Sequence, residues 1–176
     1  YGVELDSITV RIAKQLYQKA DIKIDGYERA HFQDNFFDVA IGNVPFGGYR
    51  VVDGEHKYDR DDFRIHDYFF AKTLDKVRPG GVVAFITSKG TLDKANPSVR
   101  QYLAQRADLL GAVRLPNNAF KGNAGTEVTT DIIFLKKREQ LVDDIRPLWV
   151  DVSKNSDGIP VISESFKDDL LRNCGI

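Results

Sequence analysis

Cysteine, long apolar runs and net charge are all scarce in this sequence, and each shortage excludes a class of protein or site. Cys174 is the only cysteine, so neither an intramolecular disulfide nor a multi-cysteine zinc site can form. No apolar run approaches the roughly 20 residues that span a bilayer, and the first residues lack the features of a signal peptide. We therefore expect a cytoplasmic protein with no membrane partner.

The balance of charge limits how the chain can bind nucleic acid. Its net charge is −1, whereas broad nucleic-acid-binding surfaces are often strongly basic. If the chain acts on nucleic acid, most of the affinity must come from a local patch or from another domain. The three histidines, His31, His56 and His66, show no metal-ligand spacing, so we predict no metal site. His66 and Asp67 suit the polar first turn of a helix, where the dipole favours an acid.

The sequence does contain alternating strand and helix patterns over most of its length. The predicted strands are 2–5, 21–27, 37–42, 82–87, 109–115 and 128–135, and helical spacing of apolar residues begins near residues 7, 65 and 99. This alternation predicts an α/β fold with a mostly parallel sheet and helices on both faces. The last two strands are expected to be antiparallel, because the loop between them shows no helical periodicity.

Two further segments fall outside this alternation. Residues 47–64 form a long polar loop, and loops of that length in compact domains are often functional or mobile. Residues 148–166 carry the pattern of a short hairpin, and the residues after them suit a small helix or a frayed tail.

Three of the predicted strands end in a residue that can hydrogen-bond a nucleoside. Glu4 lies near the end of the first, Glu28 just beyond the second, and Asn43 directly after the third. Ligands of open α/β sheets bind at the carboxyl ends of the strands. A carboxylate there can accept from ribose hydroxyls, as Glu4 would, or from an adenine amino group, as Glu28 would. A solvated surface acid or a helix cap is the competing interpretation for either residue.

The stretch Asn43-Val44-Pro45-Phe46 has the most specific chemistry in the chain. An amide oxygen and one or two backbone carbonyls, held rigid by a proline, can accept both protons of an exocyclic amine, and an aromatic ring can stack on a flat base. These hydrogen bonds direct the nitrogen lone pair toward a methyl donor, and fixed geometry supplies much of the rate. Taken alone, the same four residues are more typical of a turn, since Asn and Pro both favour turns.

At these residues the sequence resembles the amino DNA methyltransferases, which modify N6 of adenine or N4 of cytosine. "FDVAIGNVPFG" resembles their motif IV, Asp/Asn/Ser-Pro-Pro-Tyr/Phe/Trp, with Asn43 and Phe46 in the matching places. "GVELD" resembles motif II, whose acid binds the cofactor ribose, and Glu28 falls near the motif III acid that contacts the cofactor adenine. The order II, III, IV is that of the γ-type N6-adenine enzymes.

The resemblance implies a fold, a cofactor and partners. It implies a class I, Rossmann-like methyltransferase fold, S-adenosylmethionine as methyl donor, and DNA with a flipped-out adenine as substrate. "LLGAVRLPNNAF…GTEVTTDIIFLKKR" resembles the final hairpin of type I modification subunits. The strongest likeness is to phage- and plasmid-type proteins that join such a methylase to a helicase. The upstream part of the same polypeptide, with a helicase domain, is therefore an implied partner.

The sequence departs from the family pattern at two places. Val44 replaces the first proline of motif IV, which we expect to loosen the turn slightly while keeping a backbone carbonyl there. The glycine-rich loop of motif I, with its strand, is absent before Gly2. We expect a fragment that starts after motif I and binds cofactor poorly by itself. Residues 1–140 are expected to form a partial catalytic domain, and 141–176 an extension or the start of a further region.

Three alternatives remain open from the sequence. The same chemistry can methylate RNA or a protein amide, and the motif does not separate N6-adenine from N4-cytosine. A degenerate methylase fold kept as a non-catalytic module beside a helicase is a second class of function. A dehydrogenase-type Rossmann domain also has an acid after its second strand, but it does not explain "NVPF".

Overall fold

The structure, a computed structural model, describes residues 1–45, 47–54, 56–59, 63–125 and 127–162. Its strands are β1 (Gly2–Glu4), β2 (Ile22–Ile24), β3 (Phe37–Asn43), β4 (Val77–Ser88), β5 (Ala107–Leu115), β6 (Thr130–Lys137), β7 (Val152–Lys154) and β8 (Pro160–Ile162). Its helices are α1 (Ser7–Leu16), α2 (Ile65–Lys76), α3 (Gly90–Asp93), α4 (Ser98–Arg106) and α5 (Lys121–Ala124). Every predicted strand and helix within these ranges is present, with ends shifted by a few residues.

Acidic side chains start the first two long helices. The Asp6 side chain accepts from the backbone N–H of Thr9 at 2.7 Å, which caps α1. Asp67 accepts from the backbone N–H of Arg64 at 2.9 Å in the first turn of α2. The interpretation of His66 and Asp67 as a helix start is therefore confirmed.

The glycines after α2 lie inside a strand. The helix ends at Lys76, and Val77 already pairs with Phe37 of β3. The next pair along is Val39 with Val82, so Pro79-Gly80-Gly81 form an irregularity within β4. A side chain at Gly81 would lie 2.7 Å from the carbonyl oxygen of Asp38, and glycine is required for this close approach of the two strands.

The described strands form three sheets, and the largest is mixed rather than mostly parallel. Its order is β3-β4-β6-β5, where β3 and β4 are parallel and both pairs made by β6 are antiparallel. The predicted antiparallel pairing of β5 with β6 is confirmed. The prediction of a mostly parallel sheet is corrected, because β6 enters between β4 and β5 and reverses two of the three pairings. A separate sheet pairs β1 with β2 in parallel.

The core lies between the four-stranded sheet and two of the helices. Phe70 and Leu74 of α2 and Leu103 of α4 are buried against Phe85 of β4 and Leu135 of β6. Phe70 and Phe85 place their ring centroids 5.2 Å apart. Burial of this apolar surface is the main stabilising term in such a fold.

Helix cover on the opposite face of this sheet is not present among the described residues. Val39 and Ile41 of β3, which face away from the core, are 57% and 78% exposed. The expectation of helices on both faces is thus met on one face of the four-stranded sheet.

Residues after β6 return to the core and then form the predicted hairpin. Trp149 and Val150 are buried in the same apolar cluster, and the buried Arg100 side chain donates to the Val150 carbonyl at 2.6 Å. β7 and β8 pair antiparallel, which confirms the hairpin. The predicted terminal helix or tail lies outside the described residues. Within those residues, no helix combines the length and apolarity that crossing a membrane requires.

Candidate functional site

Five of the six residues predicted to act together line one open cleft. The cleft has a volume of about 860 Å³ and lies where β1, β2 and β3 end. The predicted residues on its wall are Glu4, Glu28, Asn43, Val44 and Pro45. The sixth, Phe46, lies outside the described residues. The fold therefore brings Glu4 and Val44, 40 positions apart in sequence, to one cavity, where residues that take part in a single reaction would have to lie.

Parallel strand direction explains why these residues meet. Glu4 is the last residue of β1, opposite Ile24, the last residue of β2. The chain then turns, and the Asp25 N–H donates to the Glu4 carbonyl at 3.1 Å. Asn43 is the last residue of β3 and pairs with Ile86 of β4. All three strand ends therefore face the same cleft.

A third acid joins the two that the sequence indicates on this wall. Asp25 directly follows β2 and lines the cleft with Glu4 and Glu28. Arg29 binds both Asp25, at 2.7 Å, and Glu28, at 2.5 Å. The sequence analysis missed Asp25 because the second strand was predicted to run to residue 27. If that strand had been ended at Ile24, which pairs with Glu4, Asp25 would have been the first residue after β2 and a candidate at the same edge of the sheet.

Gly26 makes room for the carboxylate of Glu28. A side-chain carbon at Gly26 would lie 2.2 Å from Oε1 of Glu28, closer than any real contact. The Glu4 carboxylate is also held, since its Oε1 accepts from the Asp6 N–H at 2.9 Å. The Asp6 N–H thus holds the Glu4 carboxylate and Arg29 holds that of Glu28, and both residues remain accessible at the cleft wall.

Asn43 and Val44 divide into an exposed amide and a buried anchor. The Asn43 residue is exposed, and its side chain makes no hydrogen bond to another described residue. Val44 is buried in the core, and its N–H donates to the Ile86 carbonyl at 3.1 Å. The valine that replaces the first proline of the motif thus fixes the chain with an N–H that proline lacks, and leaves the preceding amide free to bind a ligand.

Aromatic rings form part of the cleft wall. The Tyr27 and Phe69 rings are 4.8 Å apart, and both line the cleft. Burial raises the pKa of Tyr27 to about 12, and its hydroxyl shares a hydrogen bond of 2.8 Å with Thr73. Tyr49 also lines the cleft and is largely exposed. Sequence analysis missed Tyr49, because it lies in a polar loop without periodicity.

The long loop after Asn43 is bound to α2, and we call its residues 47–54 and 56–59 the strap. At the start of α2, the Ile65 N–H donates to the Tyr49 carbonyl at 3.0 Å. At the end of α2, Asp75 accepts from Tyr58 at 2.6 Å and pairs with Lys57 at 2.5 Å. The strap therefore follows the helix along its whole length as a fixed wall of the cleft.

A buried polar cluster holds the middle of the strap. Asp53 is buried, accepts a short hydrogen bond from the Tyr68 hydroxyl, and lies 3.0 Å from Nζ of Lys72. Burial, followed by the hydrogen bond to Asp53, raises the pKa of Tyr68 well above its ordinary value. The tyrosine therefore stays protonated and donates to the carboxylate at all physiological pH values.

Two basic residues at the end of β6 are held by the fold. Lys137 donates to Asn35 at 2.7 Å and to the Val77 carbonyl at 2.9 Å, and Arg138 pairs with Asp108 at 2.5 Å. These contacts stabilise the strand end.

A second cavity, of about 360 Å³, separates β1 of the two-stranded sheet from β3 of the four-stranded sheet. Val3 of β1 and Val39, Ile41 and Gly42 of β3 lie on its walls. β1 and β3 belong to different sheets, and among the strands that the structure describes each pairs with a neighbour on one side only.

Comparisons with known proteins identify the family and the fold. A family model described as N-6 DNA methylase matches residues 1–171. The chain is 30% identical over 150 residues to defense against restriction protein B of Escherichia phage P1. The aligned stretch covers 84% of this chain and 7% of that protein. A protein of Listeria monocytogenes, assigned as a class I S-adenosylmethionine-dependent methyltransferase, matches with a TM-score of 0.61 at 21% identity, over 83% of this chain and 46% of that one.

A modification subunit assigned to a type I restriction enzyme of Vibrio vulnificus YJ016 matches with a TM-score of 0.67 at 16% identity, over 92% of this chain and 46% of that one. At these identities the structural matches establish the fold alone, and they confirm the expected class I methyltransferase fold. The chain spans less than half the length of each of these three proteins.

Proposed function

The chain belongs to the N-6 DNA methylase family, and on that premise we propose that it forms the catalytic part of a DNA methyltransferase acting on the exocyclic amine of adenine. The observation that carries the proposal is the shared cleft of Glu4, Glu28 and Asn43. Two carboxylates for a nucleoside and one amide for an aromatic amine line a single cavity. The likeness to type I modification subunits supports DNA as the substrate.

The residues present fit the adenosine half of S-adenosylmethionine. Glu4 would accept from the ribose hydroxyls, and Glu28, with Asp25 beside it, would accept from the adenine amino group. Tyr27 and Phe69 offer aromatic faces for the purine. The cofactor supplies a methyl group bonded to a positively charged sulfur. The carboxylates on this wall also suit a cationic ligand.

Asn43 would orient the amine that receives the methyl group. Its side-chain oxygen, with the backbone carbonyls of Val44 and Pro45, would accept the two amine protons and direct the nitrogen lone pair toward the methyl carbon. The amine nitrogen would take the methyl group in exchange for one of its protons, which would leave to solvent. No enzyme nucleophile takes part. Phe46 would stack on the flipped base, and the exposed ring of Tyr49 extends the same wall.

The cavity between β1 and β3 supports the proposal that this chain is one part of a larger catalytic domain. The unpaired edges of the two strands suit an additional parallel strand, whose glycine-rich loop would hold the methionine half of the cofactor. Upstream polypeptide would supply that strand, and a helicase domain is the further partner we propose. We keep residues 1–140 as the catalytic part and 141–176 as an extension.

Methyl transfer in the complete natural polypeptide tests the function. Asn43→Ala is expected to lower the transfer of tritiated methyl groups to unmethylated DNA by about 100-fold or more, since orienting hydrogen bonds of this kind are worth that much. Affinity for S-adenosylhomocysteine, measured by calorimetry, should change less than about threefold, because Asn43 contacts the target rather than the cofactor. Retained activity would contradict the assigned mechanism.

The matched control is Gln18→Ala, an exposed amide that follows α1 at the opposite edge of the sheet and should leave both measurements unchanged. Parallel incubations with RNA and with protein would identify a different acceptor, and mass analysis of the DNA product separates N6-methyladenine from N4-methylcytosine. A polypeptide that binds DNA but transfers methyl groups to none of these would be a non-catalytic module.

A further inference from the structure

We propose that Lys72 is a positioning residue that holds the cofactor wall and the target wall of the cleft at one fixed separation; this rests on the proposed function. Lys72 lies in the third turn of α2 and does not itself line the cleft. Its ammonium is bonded to both walls. The sequence offers no motif for it, and no step of the proposed reaction uses it.

The ammonium group makes four contacts, two with the chain after β2, one with the strap and one with Tyr68 of α2 itself. Nζ lies 2.9 Å from the Tyr27 carbonyl and 3.2 Å from the Glu28 carbonyl. These two residues follow β2 and line the cofactor side of the cleft. It also lies 3.0 Å from Oδ2 of Asp53 and 3.1 Å from the hydroxyl of Tyr68. Asp53 belongs to the strap, which forms the target side.

Burial makes these contacts strong and hard to replace by water. The side chains of Lys72 and Asp53 are 5% and 2% exposed. Nζ also lies 5.3 Å from the centre of the Tyr27 ring and 5.7 Å from that of Tyr68, so aromatic rings close the site around the cation. An ammonium has three protons to donate, and here acceptors on the chain after β2, on the strap and on α2 lie within hydrogen-bond distance of it.

Both walls therefore depend on one side chain. Lys72 binds the Tyr27 and Glu28 carbonyls, and Glu28 carries the carboxylate proposed to bind the cofactor adenine. Asp53 is fixed four residues after Tyr49, which borders the proposed target pocket. If Lys72 is removed, the hydrogen bonds that join the two walls through its ammonium are lost, while Asn43 stays in place on β3. The expected defect is in the binding of both ligands, with a smaller one in the chemical step.

Steady-state kinetics of Lys72→Met in the complete polypeptide tests this. The KM values for S-adenosylmethionine and for DNA should each rise about tenfold, which is the scale of losing hydrogen bonds to a charged group, while kcat falls less. The matched control is Lys137→Met at the end of β6, where the lysine is half-buried and donates to Asn35 at 2.7 Å and to the Val77 carbonyl at 2.9 Å. That variant should keep both KM values of the wild type.

A double variant separates positioning from stability. Lys72→Met removes the ammonium that lies 3.0 Å from the buried Asp53 carboxylate, which destabilises the fold. Lys72→Met with Asp53→Asn removes both charges of this pair and should recover most of the lost thermal stability. It should not recover the KM values, because the Tyr27 and Glu28 carbonyls still lack their donor. Recovery of both together, or wild-type KM values in Lys72→Met, would overturn the inference.

Hydrogen–deuterium exchange tests the bonding independently of methyl transfer. Amides in residues 25–29 and 47–54 should exchange faster in Lys72→Met than in Lys137→Met. A wild-type polypeptide that neither binds S-adenosylhomocysteine nor transfers methyl groups would refute the proposed function. Unchanged exchange in both segments would refute the role of Lys72 by itself.

Discussion

The buried hydroxyl of Tyr68 allows a test of how the strap is held to α2. Tyr68→Phe removes one oxygen atom and keeps the ring. In the native structure this hydroxyl donates to Asp53 and lies 3.1 Å from Nζ of Lys72. The matched variant is Tyr58→Phe, whose hydroxyl donates to Asp75 at 2.6 Å in another part of the strap. Both rings are almost fully buried, so the two substitutions differ chiefly in what surrounds the carboxylate.

Exposure of the two carboxylates sets the expected difference. The Asp53 side chain is 2% exposed, so water cannot replace the lost donor, and the cost is that of a buried hydrogen bond to a charge, about 2–3 kcal/mol. The Asp75 side chain is 21% exposed and keeps Lys57 at 2.5 Å, so Tyr58→Phe should cost about 1 kcal/mol. For a chain of this length, 1 kcal/mol corresponds to a shift in Tm of about 2–4 °C.

Urea denaturation followed by circular dichroism measures both costs as changes in midpoint at constant slope. Tyr68→Phe should lower the midpoint two to three times as far as Tyr58→Phe, by the estimates above. Equal shifts, or a larger one for Tyr58→Phe, would show that burial of Asp53 does not govern the strength of the bond. The same result would weaken the role of the cluster in fixing the cleft wall.

Two further predictions concern pH and backbone packing. Burial raises the pKa of Tyr27 to about 12 from its ordinary value of 10, so the unfolded chain loses this proton first as pH rises. The free energy of unfolding should therefore fall between pH 10 and pH 12. Tyr27→Phe should reduce this dependence on pH in urea titrations at successive pH values, and an unchanged dependence would refute the prediction. Gly81→Ala should lower the free energy of unfolding by about 1–3 kcal/mol, because the new methyl group would lie 2.7 Å from the backbone carbonyl oxygen of Asp38. The control is Gly54→Ala, whose methyl group would have no atom within 4 Å and which should be near neutral in the same assay.

The cleft shows how far strand patterns alone lead to a site. Glu4, Glu28 and Asn43 could be chosen from the sequence because each lies at or near the end of an apolar run, and parallel strands bring such ends to one edge. Asp25 was missed by an error of three residues in one strand end. Tyr49 was missed because an aromatic residue in a polar loop carries no signal of which surface it faces.

The order of the strands shows where local patterns stop. Sequence analysis predicted that β5 and β6 are antiparallel, and the structure confirms it. It did not predict that β6 lies between β4 and β5, because either edge of β5 satisfies the same hydrogen-bonding pattern along the chain. Burial of Ile133 and Leu135 beside Val83 and Phe85 accounts for the observed position of β6, and that packing depends on residues about 50 positions apart.

The sequence by itself determined the elements of this protein and indicated the chemistry proposed for its cleft, because hydrophobic period, caps and the Asn43-Val44-Pro45-Phe46 motif are local properties. Only the tertiary structure decided how the walls of the cleft are held. Asp53 and Lys72 look like ordinary surface residues in a polar loop and on a helix. They form a buried pair because the strap folds back along α2, and no local pattern in the chain encodes that return.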